Sequence, residues 1–415
     1  MPDSSHRPGR RGRWLAGLAA AALAVVGAMW AFSEAPSAQT RAPSAAASAT
    51  AAASAVAAAA TAAAPAASVI PFSAAGLQAR QAQQALWQQR LERAQEALAA
   101  YRQSTRYPYE SQPMGDHADQ AYPNRAIDEE HALRMPGGQG HEGVRLRTSQ
   151  ERVFVQGHET VRFSVALHDD AGRMLPMRIV RASAREVPAP QTAATYGDVT
   201  MNFNDEGMAG DATAGDGAYG VQLQPATQGF AGLFGQIRVE VYLEHRGQQG
   251  FTYFDIVYTP RAPATWQDGA RETLADGSLH FILNANVLEA GRYVVTGRVD
   301  DADGKPFALL SFNDEVPVGT QDIRLTLYGK LVRDAKPAFP LTLRDVDAFL
   351  LLPDAFPDRR LMPRRAGPVH VSAPYPLASF TEADWRSEER DRTLDELNRD
   401  VAQAQARVEQ PGSGP

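Results

Sequence analysis

From Val144 onward, apolar and polar side chains alternate with a period of two; upstream of it they do not. In Val161, Phe163, Val165 and Leu167, and again in Ile237, Val239, Val241 and Leu243, every second residue is apolar. Strands of this kind turn one face to a core and the other to water. The pattern predicts strands over 144–147, 153–155, 161–168, 175–181, 199–203, 219–223, 237–243 and 251–258. Turn sequences such as Asp169 to Gly172 and Arg246 to Gly250 separate most of them. A linker over 259–277, with Pro260, Pro263 and Asp276-Gly277, leads to further strands over 279–284, 292–299, 307–312, 322–328 and 346–352. No segment between the strands supplies the crossover helix of roughly a dozen residues that parallel pairing needs. The fold class expected is mainly β, with one β-sandwich over 143–260 and a second over 278–375.

Between Ser73 and Gln103 the period lengthens to seven. Leu77, Gln84, Leu91 and Leu98 form one series, and Arg80, Trp87, Ala94 and Tyr101 its companion. This is a peripheral helix over 73–103 with an apolar stripe. The stripe either packs on its own domain or joins two chains as a short coiled coil and a homodimer; both readings stand. Residues 104–142 are polar and rich in tyrosine and proline, which reads as a linker; Asp116, His117 and Asp119 fall in it as solvated loop residues. A C-terminal helix is expected over 381–407, with Thr381 and Asp384 as a capping box and Phe380 and Trp385 as its hydrophobic staple.

At the other end, residues 1–13 carry Arg7, Arg10, Arg11 and Arg13, and the nineteen residues from Trp14 to Phe32 carry no charge. As a helix that run spans about 28 Å, close to the ~30 Å hydrocarbon core of a bilayer. Arginines before the run place 1–13 in the cytoplasm and everything after 14–32 outside. The rival reading is a cleaved signal segment, which would leave a soluble periplasmic or secreted protein. Residues 33–72 are dominated by alanine, serine, threonine and proline and read as a disordered spacer.

Composition narrows the chemistry. A net charge of −7 argues against nucleic acid as a partner. The absence of cysteine removes thiol catalysis, disulfides and thiolate metal sites. None of the nine histidines forms an HExxH or HxxxH pair, and there is no GxSxG elbow or Walker lysine motif. Asp301 and Asp303 read as turn residues whose oxygens accept backbone N–H groups.

The richest stretch is Asn204 to Tyr219, NDEGMAGDATAGDGAY, which packs Asp205, Glu206, Asp211 and Asp216 among Gly207, Gly210, Gly215 and Gly217. Glycines supply the positive φ of tight turns. Closely spaced carboxylates are ligands for a hard cation, so Asp205, Glu206, Asp211 and Asp216 form a candidate structural Ca²⁺ site. A purely structural turn is the competing reading. Tyr219 begins a strand and is expected to pack its ring inward with its hydroxyl bonded near the edge.

Asp205, Gly207, Gly210, Asp211, Gly215, Asp216, Gly217 and Tyr219 also resemble a motif of bacterial extracytoplasmic immunoglobulin-like modules, DDG-x-x-GD-x-x-x-GDG-x-Y, with Glu206 in place of its second acid. Gly291, Tyr293, Val295, Gly297, Val299, Asp301, Gly304 and Ala308, followed by Gly319 to Gln321, resemble modules of bacterial surface and secreted proteins. The resemblance implies immunoglobulin-like sandwiches outside the cytoplasm and no particular reaction. The function expected is that of a non-enzymatic envelope protein, held in the inner-membrane bilayer through 14–32, whose periplasmic sandwiches bind a protein or cell-wall component. Two alternatives stand beside it: a hydrolytic enzyme with a site assembled from separate strands, and a soluble periplasmic carrier or inhibitor.

Overall fold

A computed structural model describes residues 74–134, 140–189 and 192–409. The segment 14–32 and the spacer 33–72 lie outside the described residues. Among the described residues no helix is long and apolar enough to cross a membrane. Contacts divide the chain into residues 1–79 and 80–415; the first unit contributes only the opening turns of helix α1 (Ala74–Ser104) to the described part.

The rest is mainly antiparallel β structure. After β1 (Ser111–Pro113) come β2 (Ile127–Arg134), β3 (Gly140–Gln150), β4 (Phe154–Gln156), β5 (Val161–His168), β6 (Met174–Leu175), β7 (Arg178–Val187), β8 (Val199–Thr200), β9 (Tyr219–Leu223), β10 (Gly235–His245) and β11 (Gln248–Thr259). Two five-stranded sheets result. One has the order β2-β3-β5-β6, with β9 also on β5; the other has the order β4-β11-β10-β7-β8. Their inner faces meet in a single core, where Leu146, Phe163, Val165, Leu167 and Leu223 of the first sheet pack with Ala184, Ile237, Val239, Val241 and Ile256 of the second. Pro176 stands where the chain changes sheet. β6 pairs with β5 before it, and β7 pairs with β10 after it, so the expected strand over 175–181 is two strands.

A second sandwich contains β12 (Ala264–Ala275), β13 (Ser278–Val287), β14 (Gly291–Asp300), β15 (Pro306–Val316), β16 (Gly319–Leu327), the short helix α2 (Gly329–Ala335), β17 (Thr342–Leu351), β18 (Arg359–Leu361) and β19 (Arg365–Val371). A six-stranded sheet, β1-β15-β14-β17-β18 with β19 on β17, faces the three-stranded sheet β12-β13-β16. Leu279, Phe281, Leu283 and Leu325 from one side meet Tyr293, Val295, Val299, Leu310 and Leu343 from the other. The chain ends in α3 (Glu388–Glu409).

Three boundaries differ from the sequence reading, each for a physical reason. The expected linker 104–142 contains β1, a 3₁₀ turn at Met114–Gln120, β2 and the start of β3. β2 gives no alternation signal because it is an edge strand with a single buried residue, Leu133. The linker 259–277 is largely β12, another edge strand whose pattern is broken by a bulge between Trp266 and Ala270. The C-terminal helix starts at Glu388 and not at 381. Phe380 is drawn into the second core, and Thr381 Oγ1 caps only a short turn by accepting from Ala383 N at 3.1 Å. Ser387 is the working N-cap, its Oγ accepting from Arg390 N at 3.1 Å.

Arginines join the parts. Arg298, only 2% exposed on β14, donates Nε to the Gln120 carbonyl at 3.0 Å and Nη1 to the Asp345 carbonyl and the Asp347 carboxylate at 2.7 and 2.6 Å. Beside it Arg344 donates to the Ala121 carbonyl at 2.8 Å and pairs with Asp300 and Asp345. Together they hold the 3₁₀ segment on the outer face of the sheet, where Met114 and Ala121 pack on Leu309. Between the sandwiches, the guanidinium of Arg359 lies over the rings of Phe154 and Phe349 at 5.1 and 4.6 Å. Arg364 donates to the Phe154 carbonyl, and Leu361 N to Thr259 Oγ1 at 3.2 Å.

Two tyrosines should report the packing at alkaline pH. Burial, reinforced by a hydrogen bond to Asp334 at 3.0 Å, pushes the Tyr107 hydroxyl up to about 12 from an ordinary 10.0. Burial likewise pushes Tyr293 up to about 12. The folded chain therefore keeps protons that the unfolded chain loses, so stability falls as pH rises from about 10 toward 12. In an ultraviolet titration, Tyr107→Phe and Tyr293→Phe should each remove part of the latest ionisation step and flatten the alkaline loss of stability. An unchanged late step in both variants would contradict the assignment.

Candidate functional site

The loop between β8 and β9 folds back onto the solvent face of the first sheet. Asn204 and Gly220 close it with two backbone hydrogen bonds, at 3.0 and 2.8 Å. Gly207, Gly210, Gly215 and Gly217 all take positive φ, from 71° to 108°. Two glycines are required by close approach. A Cβ on Gly210 would sit 2.2 Å from the Val221 carbonyl carbon, and one on Gly220 would sit 2.4 Å from Asp211 Cα. The loop backbone thus rests directly on β9.

The aspartates do two things at once. Asp205 accepts backbone N–H groups from Gly215, Asp216 and Gly217 at 2.8, 3.1 and 3.1 Å. Asp211 accepts from Gly207 at 2.6 Å, and Asp216 accepts from Ala218 at 2.9 Å. Each carboxylate therefore stabilises a turn. One oxygen from each of Asp205, Asp211 and Asp216 nevertheless converges within 4.8 Å of the others, an arrangement that could hold a metal ion. Glu206 is not part of that group; its own N–H is taken by Asn204 Oδ1 at 3.1 Å. Three of the four residues that the spacing suggested as ligands come together. Tyr219 packs against the first core and donates its hydroxyl to the Met177 carbonyl at 3.2 Å.

Next to the loop, a hollow of about 310 Å³ opens on the solvent face of the same sheet, lined among others by Asp128, Arg147, Ser149, Ser164, His168 and Asp216. His168 Nε2 is buried there without a hydrogen-bond partner. Sequence reading missed this hollow, although the alternation that turns Leu146, Phe163, Val165 and Leu167 inward also turns Arg147, Ser149, Ser164 and His168 outward. What it could not show was β2, which brings Asp128 opposite Ser149. Asp116, His117 and Asp119 lie in the 3₁₀ segment, outside the acidic group. Asp301 Oδ1 accepts from Asp303 and Lys305 N–H at 3.0 and 2.9 Å, a turn held by its own side chain.

No family model and no curated protein matches the chain. Among solved structures, a DUF4785 family protein from Legionella pneumophila is similar at 12% identity with a TM-score of 0.38, over 55% of this chain and 57% of that one. The adhesin InvE of Yersinia pseudotuberculosis is similar at 12% identity with a TM-score of 0.17, over 48% and 54%. Alpha-2-macroglobulin of E. coli is similar at 10% identity with a TM-score of 0.26, over 59% of this chain and 18% of that one. The chain spans a little over half of the first two, and likeness at this level carries no argument about function.

Proposed function

We propose that the chain is an extracytoplasmic envelope protein whose two sandwiches are immunoglobulin-like and bind a protein or cell-wall partner, and that the 204–219 loop is a structural Ca²⁺ site. The convergence of Asp205, Asp211 and Asp216 within 4.8 Å carries the calcium reading. Five backbone N–H bonds to these carboxylates, from Gly207, Gly215, Asp216, Gly217 and Ala218, let the loop fold before a cation arrives. Three like charges this close repel one another, and a hard divalent cation removes that repulsion while accepting further oxygens from backbone and water. The affinity expected is that of an extracellular module, ~10⁻⁴–10⁻³ M, with Mg²⁺ a poor competitor because it needs a tighter shell.

The uncharged run 14–32 and the two sandwiches beyond it support the envelope assignment. Calorimetric titration of the purified chain with Ca²⁺, repeated on Asp211→Asn and Asp216→Asn, tests the metal site. Binding heat and a calcium-dependent rise in melting temperature are expected in the wild type, with both lost in each variant. Absence of both signals in the wild type would leave the acids as turn caps. Membrane association tests the envelope assignment separately: intact chain is expected to remain with membranes after a carbonate wash.

A further inference from the structure

The solvent face of the first sheet sinks where its outward side chains are small. Ser149 of β3 stands opposite Ser164 of β5, and Gly220 of β9 continues that row. In the next row Arg147 stands opposite Ala166, which is only 6% exposed although its neighbours Val165 and Leu167 are the ones turned into the core. The 204–219 loop rises over β9 as one wall. Met174 closes against it, since a Cβ on Gly217 would come within 2.8 Å of Met174 Cε. Asp128, on β2, bounds the side away from the loop. The floor and near wall of this hollow of about 310 Å³ are apolar, from Ala166, Met174 and Ala218. Its polar groups come from Asp128, Arg147, Ser149, Ser164 and His168.

Three outward arginines of the other sheet, Arg178, Arg185 and Arg238, pair with Glu244, Glu240 and Asp255 at 2.9, 2.7 and 2.8 Å. Arg147 does not pair. Glu130 lies opposite it in register but bonds Arg145 instead, at 3.1 Å. Among the described residues, the side chains of Asp128, Arg147, Ser149 and Ser164 have no hydrogen bond or ion pair. His168 Nε2 is buried without a partner, and Nδ1 directed at the Gly172 carbonyl at 3.4 Å leaves it an acceptor. We infer that the hollow is a binding site for one ring of a neutral saccharide. Arg147 repels a cation and Asp128 an anion, whereas a hydroxyl accepts from the first and donates to the second. A sugar ring also matches the distribution of surfaces, with C–H groups for the apolar floor and hydroxyls around its edge for the serines. An amino acid would crowd both its charges at one end and leave the serines unmet. Asp216 lines the wall as well, but it accepts from Ala218 N at 2.9 Å and belongs to the loop's acidic group, so the site does not depend on it.

The test is saturation-transfer NMR on the purified full chain. The neutral probes are glucose, galactose, mannose and N-acetylglucosamine, and the charged ones are glucuronate and glycine. Chelator is present throughout, so the outcome is separate from that of the metal site. Transfer to the ring C–H protons of at least one neutral probe is expected, with none to glycine and less to glucuronate. Arg147→Ala and Asp128→Ala should each weaken that binding at least about tenfold, the loss of one hydrogen bond to a charged group. Both variants should melt with the wild type, because neither side chain has a partner to lose. Arg181→Ala, on the other sheet, should bind as the wild type does. No transfer to any of the neutral probes, binding of a charged probe alone, or binding that survives both substitutions overturns the proposal. A lowered melting temperature in both variants would overturn it too, by making Arg147 and Asp128 structural.

Discussion

Arg298→Ala is expected to cost about 1–3 kcal/mol of unfolding free energy, the range for leaving buried hydrogen-bonding groups without their partner. Its guanidinium serves four acceptors, the carbonyls of Gln120 and Asp345, the side-chain oxygen of Gln120 and the carboxylate of Asp347. With the side chain truncated, the two carbonyls lose their donor beneath the 3₁₀ segment, and Asp347 keeps its charge beside a cavity. Arg298→Met retains most of the volume and should cost less than alanine, so the difference between the two isolates packing from charge. The loss should also be local. Arg344 still holds the Ala121 carbonyl at 2.8 Å, but one of the two clamps on residues 114–124 is gone. Trypsin should then cut after Arg125 sooner than in the wild type. Chemical denaturation and timed proteolysis check the two parts. A variant with wild-type stability and an unaltered cleavage order would show that the network is dispensable.

The sequence disclosed what lies under the sheets better than what lies on them. β5 and β9 run over the residues that alternation predicted, 161–168 and 219–223, because each strand has one face in a core. In the sequence β2 and β12 read as linkers, because an edge strand with both faces largely wet carries no period of two. The same logic hid Arg298. A charged residue at an outward position reads as solvent-exposed, and only the 3₁₀ segment that folds over it turns that position into a buried one. The basic run Arg359, Arg360, Arg364 and Arg365 likewise gave no signal, since its partners Phe154, Glu289 and Gly269 are distant in sequence.

The loop was legible in its chemistry but not in its support. Spacing put Asp205, Asp211 and Asp216 on one candidate site and included Glu206, which the turn geometry leaves out of the group. That these aspartates accept backbone N–H groups while converging is a property of the folded turns, and periodicity has no access to it. Five positions of the expected α1 stripe, Trp87, Leu91, Ala94, Leu98 and Tyr101, are shielded and Leu77, Arg80 and Gln84 are exposed, because which positions are covered depends on where α3 returns in space.

Gly210→Ala and Gly220→Ala should be the most damaging single substitutions in the loop, each costing more than about 4 kcal/mol unless the loop detaches. The atoms a new Cβ would strike are backbone: Val221 C and Gln222 N for Gly210, Asp211 Cα and N for Gly220. No rotamer change relieves a backbone clash, so either β9 moves and opens the first core or the loop lifts off the sheet. Gly210 adds the strain of φ = 108°, which a side chain rarely tolerates. Gly215→Ala is the matched control. Its φ is 74°, but nothing lies within 4 Å of the added methyl, so only the left-handed penalty of about 1–2 kcal/mol applies. Hydrogen exchange distinguishes the outcomes at the amides of Gly215, Asp216 and Gly217, which Asp205 protects. Lifting the loop should release all three in Gly210→Ala and Gly220→Ala and abolish the proposed calcium binding with them, while Gly215→Ala keeps the protection. Protected amides and unchanged stability in Gly210→Ala would mean that the loop does not rest on β9, and the convergence of the three carboxylates would lose its physical basis.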